Sequence, residues 1–292
     1  MIELELNPLT DLKREGKSFY WASFFLPRNS KIKAGILYSI CRHFDDIADK
    51  HNKDQTTYLK KSIEEIKKNK ENKVNIFLQK NKIDNAIFID LIEGLILDQK
   101  KTVIQNKNEL IQYSYHVAGT VGLMMSKIIG VEDKKAAQSA IDLGIGMQLT
   151  NIARDVHEDS KIERIYLPAD WIPDISLKNL SNLHESNSQK DEKISNAIHK
   201  VISLSEKFYK NGFAGLKYIP ISTRLGIFIA ANVYRGIGIK IKSKKKYLRD
   251  RVYLNLFEKS FITIKSILIF IILPLINFQY EKIRVSLPNE DL

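Results

Sequence analysis

Residues 148–168, QLTNIARDVHEDSKIERIYLP, carry the most informative pattern in the chain. Its first half is a good helix former with polar residues at an unusual spacing: Asn151, Asp155 and Asp159 stand four apart. Four residues is slightly more than one helical turn, so the three side chains climb one face together, with Arg154 and Glu158 beside them. Three oxygen-bearing side chains, two of them carboxylates, repel one another unless positive charge lies between them. A hard cation such as Mg2+ takes oxygen ligands of this kind. A solvated charged face would show the same spacing, so this stretch alone leaves both readings open.

Working outward, LYSICRHFDDIAD (residues 37–49) repeats the pattern. Asp45 and Asp49 are four apart with Asp46 adjacent, and Tyr38 and Arg42 precede them at helical spacings. Two acid clusters on two long apolar helices are a stronger signal than one. Facing each other across a bundle core, they would hold several divalent cations. Mg2+ is commonly held by a few carboxylates while a substrate phosphate completes its octahedron. The implied chemistry is therefore on a diphosphate.

These two stretches resemble the two aspartate-rich motifs of the squalene/phytoene synthase family, which joins prenyl diphosphates head to head; bacterial phytoene synthases are the nearest in pattern. Lys17-Ser18-Phe19 with Leu26-Pro27 resembles the family's opening, and YSYHVAGTVGLMM (residues 113–125) its central glycine-containing helix. Asn232 to Gly238 with Arg251-Val252 resembles its late motifs. The resemblance spans nearly the whole chain. It implies an all-α, single-domain isoprenoid synthase helical bundle with a central active-site cavity. It also implies dependence on Mg2+, with Mn2+ as a substitute, and two geranylgeranyl diphosphates as substrates for phytoene. Squalene or dehydrosqualene synthesis from farnesyl diphosphate is the runner-up. A catalytically silent respiratory-complex assembly factor shares the fold, but eroded acid clusters are expected there, and here every acid is present.

On this reading Asp45, Asp49, Asn151, Asp155 and Asp159 are the expected metal ligands. Arg42, Arg154 and Arg251 suit the gripping of diphosphate oxygens as charged forks, while Tyr38, Tyr234 and Gln148 orient the diphosphates. An allylic cation must meet the second substrate before water does, which needs a dry, partly aromatic pocket. Ser18, Phe19, Val117, Val121, Gly122 and Leu149 are its expected lining. The family's path runs through a cyclopropylcarbinyl diphosphate. Phytoene-type members finish by losing a proton, and no dinucleotide fingerprint is present, so no nicotinamide cofactor is expected. His157 lies off the acid face, where a surface role is expected.

Composition is compatible with this. The chain has 292 residues, 44% of them hydrophobic, with few glycines and prolines and no evident linker. A single cysteine, Cys41, excludes an intrachain disulfide and reads as a small buried apolar residue. The polar start, MIELELNPLTDLKREGK, does not read as a signal peptide, and a cytoplasmic protein is expected. The net charge of +12 has three competing causes: diphosphate binding, anionic lipid, or compositional drift toward Lys, Ile and Asn. No nucleic-acid signature accompanies the scattered lysines. The spacing fixes no oligomeric state.

Apolar periodicity predicts helices over residues 12–26, 33–50, 57–68, 84–100, 108–129, 136–160, 193–212 and 222–242. Residues 50–55 and 67–73 read as a polar turn and a charged loop, and 172–191 as the least ordered part. Gly119 and Gly122 each weaken a helix by about 1 kcal/mol relative to Ala. Either a neighbouring helix packs closely there, or the helix breaks beside a prenyl chain. Residues 262–278 are the most hydrophobic. Their uninterrupted run is shorter than the roughly 18 residues of a membrane span, leaving a buried core helix or an interfacial one. With the basic run 240–251, the second reading gives peripheral attachment to an anionic membrane.

Overall fold

A computed structural model describes residues 7–50, 53–99, 103–181, 188–243 and 251–290. Among them there are helices and no named strand; Val103 and Ile165 form one isolated parallel bridge. The beginning of the polar start (residues 1–6), the centre of the basic run (244–250) and residues 182–187 of the polar stretch lie outside the described residues.

The single helix predicted over residues 12–26 is two: α1 (Pro8–Arg14) and α2 (Lys17–Ser23). The break falls at Gly16, where a Cβ would lie 3.0 Å from both Leu12 Cδ1 and the Tyr38 ring. A side chain there would press on both neighbours. Next come α3 (Arg28–Ala48), α4 (Lys53–Lys67), α5 (Lys73–Lys80) and α6 (Asn85–Asp98). The reading missed α5, a short helix held by the Asn72 cap, whose side chain accepts from the Asn75 backbone N–H. The helix predicted over 108–129 runs as α7 (Lys107–Ser114), a π-helical turn (Tyr115–Gly119) and α8 (Thr120–Ile128).

The hub is α9 (Ala137–Lys161), packed against α8, the π turn, and two later helices, α11 (Ser188–Ala214) and α12 (Ile221–Ser243), with the short α10 (Leu177–Ser181) across its C-terminal half. Its inner face explains the centrality. Ile141, Ile145 and Leu149, each four apart, are fully buried, and each stabilises the fold by roughly 1.5–3 kcal/mol. Close crossing is enforced by glycine. A Cβ on Gly122 would lie 2.2 Å from the Ala140 carbonyl oxygen, and one on Gly144 2.2 Å from that of Ala118. Gly122 therefore packs closely against α9. The backbone irregularity expected of that helix lies in the preceding π turn.

For α13 (Leu256–Ile272) the sequence leaves open a core or an interfacial helix, and its exposed face departs from the first of these. It turns the small polar Thr263 and Ser266 inward, and Trp21 Nε1 donates to Thr263 Oγ1 at 2.9 Å. Its large apolar residues face out: Phe257 is 80% exposed, Ile271 71%, with Phe261, Ile264 and Leu268 along the same row. No helix among the described residues is long and apolar enough to cross a membrane. Beyond α13 the chain returns over α9 and α11. There Arg284 Nε donates to Asp142 Oδ1 at 2.6 Å, both side chains being buried, and Asn211 Nδ2 donates to Asp142 Oδ2 at 2.7 Å. That extra hydrogen bond helps offset the desolvation of a buried ion pair.

Candidate active site

The first acid motif ends α3. Arg42 Nη1 donates to Asp45 Oδ2 at 3.0 Å and Nη2 to Asp46 Oδ1 at 2.6 Å. Burial, and then the charge of Asp49, push the Asp45 carboxyl up to about 6 against the pull of Arg42. Asp49 closes the helix as its C-cap.

The second motif lies where α9 kinks. Asp155 has non-helical backbone angles (φ −104°, ψ 15°). Its carboxylate sits between two guanidinium groups. Arg154 Nε donates to Oδ1 at 2.7 Å, and Arg251 donates from Nε to Oδ1 at 2.8 Å and from Nη2 to Oδ2 at 3.0 Å. Burial alone would raise its pKa, but the two arginines outweigh it and hold Asp155 below the usual carboxylate range. One turn on, Asp159 has the opposite fate: burial, then the charge of Asp155, push it up to about 8. Adjacent acids are thus split into an ionised and a protonated member. Asn151 Nδ2 donates to Gln148 Oε1 at 3.2 Å, while Asn151 Oδ1 is buried without a hydrogen-bond partner.

A residue absent from the sequence reading joins the two motifs. After α9 the chain reverses through Glu163, whose φ is +59°, and the Arg164 N–H returns to the Asp159 carbonyl at 3.0 Å. The Ile104 N–H donates to the Ile165 carbonyl at 3.1 Å and pins this turn. From it, Arg164 Nη1 donates to Asp49 Oδ1 at 2.9 Å and lies 3.5 Å from Asp98 Oδ2 on α6. Asp98 also accepts from Tyr166 Oη at 2.8 Å and from Tyr113 Oη at 3.4 Å, and the two tyrosine rings stack 4.6 Å apart. Arg164 and Tyr166 lie inside the stretch that opened the reading, and Tyr113 inside the central motif. Asp98 gave no signal beyond being an acid at the end of an apolar helix.

Beside the acids stand aromatic rings. The Phe19 centroid on α2 is 4.6 Å from Tyr234 on α12 and 6.4 Å from Tyr38 on α3. Burial raises the Tyr234 hydroxyl, as it does that of Tyr38, so both remain neutral donors. Ser18 precedes Phe19 on α2, and Val117, in the π turn, packs half-buried against the core with Val121. Leu149 faces the core of α9. His157, expected on the surface, is half-buried, with Nδ1 3.2 Å from the Leu180 carbonyl oxygen, which ties α9 to α10. Burial pushes the Cys41 thiol up to about 12, consistent with an inert packing role.

Four arginines (42, 154, 164 and 251) neutralise Asp45, Asp46, Asp49 and Asp155 locally. Among the described residues no three His, Cys, Asp or Glu side chains converge into a ready-made metal cage. The donor chemistry nevertheless fits a hard cation. The unpartnered Asn151 Oδ1 and the raised Asp45 and Asp159 are oxygen groups whose strain a positive ion would relieve.

The family model for squalene/phytoene synthase matches residues 12–258. The 15-cis-phytoene synthase of Enterobacter agglomerans is 31% identical over 243 residues, 77% of this chain and 81% of that protein. That of Pantoea ananas is 30% identical over 258 residues, 80% of this chain and 81% of that one. In fold, the chain is similar to a dehydrosqualene synthase solved with a ligand (TM-score 0.76, 23% identity, 90% and 94% of the two chains). It is also similar to a squalene synthase from Alicyclobacillus acidocaldarius (TM-score 0.68, 18% identity, 80% and 90%). This chain belongs to the squalene/phytoene synthase family. Its C-terminal return, with Arg284, lies beyond the matched region.

Proposed function

We propose that the chain is a phytoene synthase, a prenyltransferase that condenses two C20 prenyl diphosphates head to head within one catalytic domain. The observation that carries this is the joining of the two acid motifs, Asp49 of α3 being bonded to Arg164 from the end of α9. The relatives named 15-cis-phytoene synthase, matched over most of both chains, favour it over squalene synthesis.

Asp45, Asp49, Asn151, Asp155 and Asp159 would hold Mg2+. When bound, such ions stabilise negative charge on a departing diphosphate. The protein's own groups do the rest. Arg42, Arg154 and Arg251 are forked donors that can release an aspartate oxygen to grip a phosphate oxygen with the same geometry. Tyr38 and Tyr234, kept neutral by burial, donate hydrogen bonds without adding charge. The rings of Phe19, Tyr38 and Tyr234 offer π faces to a developing allylic cation and keep water from it.

The outward apolar row of α13, with the exposed Lys265 on the same helix, supports peripheral contact with an anionic bilayer, from which lipid substrates would arrive. Incubation with Mg2+ and labelled C15 and C20 diphosphates, followed by product identification, tests the catalytic reading. C20 consumption to phytoene without NADPH supports it; preference for C15, or a requirement for NADPH, overturns it in favour of squalene-type chemistry.

A further inference from the structure

Arg164, in the turn after α9, and Asp98, at the end of α6, sit behind the acids of the two motifs. Both side chains are more than nine-tenths buried. Arg164 contacts Asp49 through a hydrogen bond of 2.9 Å and approaches Asp98 at 3.5 Å, and its charge also acts on Asp159 and Asp45. Asp98 is held in turn by two tyrosine hydroxyls and cannot follow Arg164 outward. The asymmetry matters. Asp49 keeps 42% of its side chain exposed at the mouth of the site, whereas Asp98 keeps 7%.

A ligand cation recruiting Asp49 must therefore displace a guanidinium. A buried guanidinium with no second acid would hold Asp49 tightly, because leaving a buried charge uncompensated is strongly unfavourable. With Asp98 in place, Arg164 can give up Asp49 and remain paired. Resting on the metal-diphosphate reading above, we infer that Arg164 is a positioning residue that keeps Asp49 aimed at the second acid motif. Asp98 is the buried counter-charge that lets Arg164 release Asp49 to an incoming cation. The pair thus sets how much Mg2+ the site requires, without touching substrate.

The test uses the full chain and its melting temperature, titrating MgCl2 in the presence of inorganic pyrophosphate, alongside turnover over the same Mg2+ range. Asp98→Asn keeps shape and leaves an amide oxygen for the tyrosines, but removes the alternative charge. The Mg2+ midpoint of the thermal shift should rise roughly tenfold, the scale of one charge-assisted hydrogen bond. Turnover at saturating Mg2+ should change far less. The double variant Asp98→Asn/Arg164→Gln removes the competing guanidinium and its buried counter-charge together. Its midpoint should fall back to the parent value or below, and this variant also guards against a folding defect in the single change. A merely structural pair would lower the ligand-free melting temperature and leave the midpoint in place. A midpoint for Asp98→Asn within twofold of the parent overturns the inference, as does a double variant that keeps the raised value. If the parent chain shows no shift with Mg2+ and pyrophosphate, the failure is that of the metal-diphosphate reading.

Discussion

Replacing Asp159 by Asn should stabilise the ligand-free protein, and the size follows from its surroundings. The folded-state pKa of about 8 is raised from 3.8 by burial and by Asp155. The folded chain therefore binds one more proton than the unfolded chain across that window. Stability from this group is fully present below the unfolded value and is lost as pH rises through the folded one. One excess proton gives a slope of about 1.4 kcal/mol per pH unit. Asp45, raised to about 6, contributes the same sign mainly at lower pH, and over the range from pH 6 to 7.5 the difference between parent and variant reports Asp159. Over it the parent should lose about 2 kcal/mol that Asp159→Asn retains. For a chain of this size that is about 4 °C in melting temperature. Thermal melts of both proteins at the two pH values, in EDTA, measure it directly. A parallel pH dependence, or a variant less stable than the parent at pH 7.5, would refute the reasoning. Mg2+ with pyrophosphate should reverse the order, because the parent alone retains the full ligand set.

Asp155→Asn should behave in the opposite sense: losing the partner of Arg154 and Arg251 should lower ligand-free stability by about 1–3 kcal/mol, and turnover should fall by orders of magnitude; melts and steady-state rates check both. Gly144→Ala places a Cβ 2.2 Å from the Ala118 carbonyl oxygen; forcing the π turn and α9 apart should destabilise by about 1–3 kcal/mol, read by denaturant unfolding. Flotation with anionic vesicles should recover the protein at low salt and less of it at high salt. Phe257→Ser/Phe261→Ser should abolish recovery with little effect on melting, since both rings are exposed; equal recovery with neutral vesicles would remove the electrostatic part.

What was legible in the sequence is what depends on local spacing. The four-residue spacing of acids on α3 and α9 shows in any helix. So do the apolar rows that give the helices their approximate bounds. Arg164 was hidden because its role depends on a turn through a left-handed Glu163 and on a strand-like contact with a distant segment. Asp98 was hidden because burial among tyrosines is a tertiary fact. The sequence leaves α13 open between a core and an interfacial helix because hydrophobicity alone does not say which way a helix faces: there the small polar residues pack inward. Gly119 and Gly122 were legible as exceptions, but the approach of Gly122 to a carbonyl on α9 is a tertiary fact.

The central claim is that the acids of α3 and those of α9 act as one site. A double-mutant cycle in turnover measures it: Asp45→Asn, Asp155→Asn and the pair, each assayed with C20 diphosphate at a fixed Mg2+ concentration. Groups that act as a unit are strongly non-additive. The account predicts that the double variant is scarcely slower than the worse single one. Losses that multiply, as for two independent sites, would contradict it.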